Sequence, residues 1–147
     1  MSSDVGHTIS STPATCVERI RGAVAALKAQ YGKPDAKYRD AHDQVTLEHT
    51  FHAGVYARTL RAPAGLVLAN ALIRVPTILI VSGDCTITDT ENSVRVSGYQ
   101  VLKGAPNRMC MVYTHEDTTF TMLYATDAKT VEEAEAEFAD PQDELQH

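Results

Sequence analysis

From Val45 to Tyr124 the chain runs in short β-branched and apolar stretches broken by Gly, Pro or Asn, and no helical period survives anywhere in that span. This constrains the fold more than any other feature. Val94-Arg95-Val96, Cys85 to Thr88 and Phe120 to Tyr124 alternate as half-buried strands do. Thr77-Ile78-Leu79-Ile80-Val81 is apolar almost throughout and predicts a strand covered on both faces. A parallel sheet would need helices between its strands, so about eight strands at this spacing predict a barrel or sandwich.

Helical signals flank the β region. Thr15 with Glu18 reads as a capping box, and Val17, Ile20, Val24, Leu27 and Tyr31 follow at helical spacing up to Gly32 and Pro34. Thr130 with Glu133 opens a shorter helix carrying Val131, Ala134 and Phe138, which Pro141 ends. The expected organisation is a flexible arm over 1–14 and one domain over 15–138, then an acidic tail over 139–147. Within the domain a helix spans 15–31, the barrel 45–124 and a second helix 131–138.

At 147 residues, 44% hydrophobic and 22% charged, the chain can bury one core without staples. The three cysteines, Cys16, Cys85 and Cys110, lack the close spacings of zinc or redox sites and read as buried reduced thiols. No apolar run is long enough to span a bilayer, and the Met1-Ser2-Ser3-Asp4 start does not resemble a secretion signal. The net charge of −6 gathers after Lys129, in Glu132, Glu133, Glu135, Glu137, Asp140, Asp143 and Glu144. Such a chain has no basic footprint for nucleic acid and no membrane partner is expected.

With the β region placed, several short motifs acquire a context. Phe51-His52-Ala53-Gly54-Val55-Tyr56-Ala57-Arg58 and Arg61-Ala62-Pro63-Ala64-Gly65 resemble a family of small bacteriophage cupin-like proteins. The likeness continues through Val81-Ser82-Gly83-Asp84, the Gly104 to Arg108 segment, Thr118 to Thr126 and the helix from Val131, spanning Leu47 to Phe138. It implies a mainly β, cupin-like jelly-roll barrel with an N-terminal amphipathic helix and a short C-terminal one. The family's metal-binding relatives carry two His and a Glu on the strands after the Pro-Ala-Gly turn. Here no His, Asp, Glu or Cys stands between Gly65 and Ser82, and Met109 takes the place of a later ligand His. No metal and no cofactor are therefore expected, because neither Met109 nor Thr77 substitutes for imidazole or carboxylate.

Elsewhere His49 and His52, with Glu48 and His115 near them in the reading, are the weak candidates for a metal. Residues three apart on a strand point to opposite faces, which argues against the pair. Ser82, Asp84, Cys110, His115, Glu116 and Asp117 are the groups with acid, base or nucleophilic chemistry, but no triad signature or nucleophile elbow joins them. His115-Glu116-Asp117 reads as a hairpin turn. Tyr56, Arg58, Arg74 and Arg108 are the candidates for lining a small pocket, where a guanidinium fork would grip an anion. The competing reading pairs Arg58 and Arg108 with Glu48, Asp84 or Asp117 near the rim.

Three functional classes follow, in this order. The first is a non-catalytic structural or interaction component of a phage particle, homo-oligomeric, made in the host cytoplasm and carried in the virion with other phage proteins as partners. The second is a cupin that sequesters a small anion or nucleotide. The third is a metal-dependent enzyme.

Overall fold

The computed structural model describes residues 8–31, 33, 44–143 and 145. The expected architecture is found: mainly β, with a helix at each end. In chain order come β1 (Thr8–Ile9), α1 (Ala14–Gln30), β2 (Thr46–His52), β3 (Val55–Ala62), β4 (Val67–Ala69), β5 (Thr77–Thr88), β6 (Ser93–Gly104), β7 (Met111–Thr114), β8 (Thr118–Ala125) and α2 (Val131–Phe138). The main sheet has the order β1-β6-β5-β8-β3-β2, and β4 joins through β7, which pairs with β5.

Turn chemistry sets the hairpins. Ala53 and Gly54 both have positive φ, the conformation of the two-residue turn that matches strand twist, and they join β2 to β3 in perfect antiparallel register. The β5–β6 hairpin closes on Asp89, whose carboxylate accepts the amides of Glu91 and Asn92.

The long strand β5 organises everything else. Its first half pairs with β8 and its second half with β7, so one strand serves two parts of the sheet. The break falls at Gly83, where φ is +144° and an added Cβ would lie 2.5 Å from Thr118 Oγ1. His115-Glu116-Asp117 is therefore not a hairpin turn. β7 and β8 do not pair with each other; they run in succession along β5, and the three residues bulge out opposite Gly83 and Asp84. The Asp84 carbonyl accepts the amides of His115 and Glu116, which closes the bulge.

The helices depart from expectation in one detail each. α1 starts at Ala14, with Pro13 at its N-cap and no side-chain cap bond, so Thr15 lies inside the first turn and forms no capping box. The Pro13 carbonyl takes the amides of Cys16 and Val17 instead. Its buried face is Cys16, Val17 and Ile20, the last two packed on Met109, while Leu27 and Tyr31 are half-buried. Gly32 and Pro34 lie outside the described residues. In α2, Thr130 Oγ1 does accept the Glu133 amide, but the Glu133 carboxylate returns to the amide of Lys129.

The terminal segments are tied down where they are described. Residues 8–13, expected in a flexible arm, add the parallel strand β1 to β6, and Thr12 exchanges hydrogen bonds with the backbone of Met109. At the other end, Asp143 takes a two-pronged ion pair from Arg21 of α1 and accepts the Leu72 amide. The C-terminal segment is thus tied to α1 and to Leu72. The stretch from Thr77 to Val81 also differs from expectation, since Ile78 is 44% exposed and only the inward side of the strand is covered.

Candidate functional site

Alternation fixes which side chains face inward. On β3 these are Tyr56, Arg58, Leu60 and Ala62, on β8 Thr118, Phe120, Met122 and Tyr124, and on β5 Leu79, Val81, Cys85 and Ile87. Between them and β4–β7 lies a cavity of about 100 Å³, walled by aliphatic groups such as Leu60, Leu68, Leu79 and Val112. Phe138 of α2 and Leu145 of the C-terminal segment also face it. Its polar lining is Arg58, Asn70, Arg108 and Cys110.

The two arginines differ in how their charge is met. Arg58 is 7% exposed, donates to the Glu135 carboxylate at 3.0 Å and lies 5.7 Å from the centre of the Phe138 ring. Its charge is neutralised by an ion pair, with a partner on α2 rather than one of the rim carboxylates expected. Arg108 is 5% exposed and has no carboxylate partner among the described residues. It donates to the carbonyls of Val75 and Ala105 and, at 2.5 Å, to Thr77 Oγ1. Burial pulls its pKa below the ordinary arginine value. A guanidinium has five N–H groups, and these three bonds leave donors over.

Gly104 explains how the guanidinium is accommodated. A Cβ there would collide with the Arg108 guanidinium and come within 2.6 Å of Thr77 Oγ1. The spacing of Gly104 and Arg108, read above only as a likeness, thus has a physical basis. The glycine's missing side chain is the space the arginine occupies.

The other two pocket candidates lie elsewhere. Tyr56 is fully buried beneath α2, with its hydroxyl 2.7 Å from His49 Nδ1 and its ring stacked near Phe51 and Phe138. Burial raises its pKa, against the lowering effect of Arg58. Arg74 is exposed and donates to the Ala136 carbonyl in the last turn of α2, where a cation also suits the helix dipole. Neither lines the cavity.

The weak metal candidates are kept apart. His49 pairs with Arg58 across the strands and faces inward, while His52, opposite Val55, belongs to the outward row. His115 Nε2 instead contacts Thr86 Oγ1 at 2.7 Å on the far end of the sheet. No group of three His, Cys, Asp or Glu among the described residues could hold a metal ion. The cavity itself offers two guanidinium groups, an amide and a thiol, a donor set that does not fit a hard or borderline divalent metal.

The acid, base and nucleophile candidates do not converge either. Cys110 faces the cavity, but burial pushes its thiol up to about 11, so it is protonated at neutral pH. Asp84 is bound two-pronged by Arg95, which holds its carboxyl below the usual range. Asp117 accepts the Ala64 amide, and no hydrogen bond among the described residues links Ser82 to His115. Sequence reasoning missed Glu135 and the spacing role of Gly104. Glu135 carried no distinguishing signal among the other acids of α2.

No family model matches the chain, and no curated protein matches it. Solved structures that match include several cupin-domain proteins. KdgF from Halomonas sp. is 14% identical over 65% of this chain and 93% of its own, with a TM-score of 0.49. A cupin superfamily protein from Desulfitobacterium hafniense is 14% identical over 58% and 80%, with a TM-score of 0.48. The cupin domain of Schizosaccharomyces pombe Cnp3 is 16% identical over 67% and 75%, with a TM-score of 0.47.

Proposed function

We propose that this chain is a non-catalytic binding module that holds a small anion with a short apolar body inside its barrel, with Arg108 as the anion-recognising group. One observation carries the reading: a buried guanidinium with unused donors and no carboxylate partner among the described residues faces a cavity whose walls are mostly apolar, with Asn70, Cys110 and the Glu135-paired Arg58 as its other polar groups. Burying an unpaired cation is unfavourable by several kcal/mol, and a bound carboxylate would offset that with charge-assisted hydrogen bonds. The volume sets the size. About 100 Å³ is less than the roughly 150 Å³ that holds benzene, so a carboxylate of two to about five carbons fits and a nucleotide does not.

Calorimetric titration with acetate, butyrate, phosphate and benzoate tests this. Saturable binding of a short carboxylate that Arg108→Met abolishes supports the reading. Equal binding by the variant, or no binding by any of the four, overturns it.

A second reading, that the chain is a homo-oligomeric structural part of a phage particle, has one observation in its favour: Ile78, Tyr99 and Val101 stand exposed on the outer side of the sheet. Mass spectrometry of purified virions tests the particle itself, high copy number being the expected outcome under that reading.

A further inference from the structure

The outward face of β6-β5-β8-β3-β2 carries apolar groups that the barrel does not use. Strand register arranges them in rows. Ile80 lies between Val101 and Thr121, Ile78 between Lys103 and Leu123, and Ser82 between Tyr99 and Thr119. Val101 is 47% exposed and Tyr99 66%. Neither helix covers this face, because α1 packs on Met109 and α2 on the inward cluster with Tyr56 and Tyr124.

We propose that this face is the docking surface for a second copy of the chain, related by a two-fold axis that crosses the strands through the Ile80–Val101 row. The inference rests on the self-association reading above and names its surface; it does not depend on the ligand. Such an axis maps the central row onto itself and exchanges the rows on either side. Val101 then meets Val101 of the second copy. Lys103 comes over the Tyr99 ring of the second copy, a cation on an aromatic face, and Leu123 packs on the methyl of Thr119.

Charge and area agree with this occupant. The chain carries −6 overall, but that excess lies in α2 and the C-terminal segment, whereas on this face Arg61 pairs with Glu48 at 2.6 Å, Arg95 with Asp84 at 2.8 Å, and Lys103 remains. Two copies meeting here do not bring the acidic excess together. Five strands at about 4.8 Å spacing and about 25 Å of strand length present roughly 600 Å² in projection, of the order of the about 800 Å² per partner in standard interfaces.

The test uses the whole chain. Light scattering at micromolar concentration should give twice the 16.0 kDa chain mass. Val101→Cys should form a disulfide-linked dimer under mild oxidation by oxidised glutathione, since the native cysteines are all buried. Val94→Cys is the control, because Val94 is comparably exposed, at 40%, but lies opposite Ile87 on the other side of the sheet and should link far less. Val101→Glu should give a monomer with unchanged circular dichroism. A monomeric wild type overturns both the surface and the self-association reading. An oligomer that survives Val101→Glu, or in which position 101 links no better than position 94, overturns this surface alone and leaves self-association by another route, such as pairing along the β6 edge.

Discussion

Gly104 gives its missing side chain's volume to the Arg108 guanidinium, and Gly83 lets the β7–β8 bulge close against β5. Gly104→Ala is expected to lower stability by about 2 kcal/mol or more, because a buried charged group must move off its hydrogen bonds. Gly83→Ala should cost as much, since the added methyl would meet backbone as well as the Thr118 side chain. Urea unfolding measures both; a change under about 0.5 kcal/mol would contradict the stated packing. The buried thiols give a second expectation. Burial raises Cys85 and Cys110 to about 11, while an unfolded chain releases those protons near 9. Above pH 9 the unfolded state therefore binds fewer protons than the folded state, and stability falls as pH rises towards 11. Tyr56 and Tyr124, also raised by burial, add a fall of the same sign from about pH 10 upward. Urea midpoints between pH 8 and 11 should show this fall, and it should be shallower in a Cys85→Ala/Cys110→Ala double variant.

At the level of elements, similar-looking ion pairs differ in what they hold. Arg19–Glu91 joins two side chains that are about half exposed, and such pairs contribute about 0 to 1 kcal/mol. Arg21–Asp143 is different. Asp143 is 8% exposed, is gripped by two guanidinium nitrogens and also satisfies the Leu72 amide. Asp143→Ala leaves the Leu72 amide without its acceptor and Arg21 with only its longer contacts to Asp140 and Glu18, so a loss of about 1 to 3 kcal/mol is expected. Glu91→Ala should change stability by less than about 0.5 kcal/mol. Parallel thermal melts of the two variants make the comparison. The same elements show what the sequence could and could not reveal. Strand alternation and the Thr130 cap were legible because each is a local preference. The Thr15 cap failed because Pro13 starts the helix a residue earlier. The bulge at His115 was misread because a turn-like composition does not say which strand its neighbours will pair with. The Arg58–Glu135 pair joins residues far apart in the sequence, so no spacing could have marked it.

For the whole molecule, the ends are the part that composition describes least well. The first is polar and small-residue-rich and the second acidic, which reads as arms that gain order only on a neighbour. In the structure the described parts of both ends are built into the single chain. β1 pairs with β6, Thr12 holds Met109 beside Arg108, and Asp140 and Asp143 secure Leu72 while Leu145 faces the cavity. Met109 in turn is the seat of α1. Removing residues 1–13 therefore takes away a strand and the backbone partners of 105–109, the segment that carries the cavity's cation. Removing 140–147 leaves Arg21 with Glu18 alone among the described residues and opens one side of the cavity. Each deletion is expected to lower the unfolding midpoint, the first by more, and the double deletion by less than the sum if the ends act through the same segment. Differential scanning calorimetry of the three truncations decides it. An unchanged midpoint in the double deletion would show that the barrel stands without its ends and that their contacts contribute nothing to its stability.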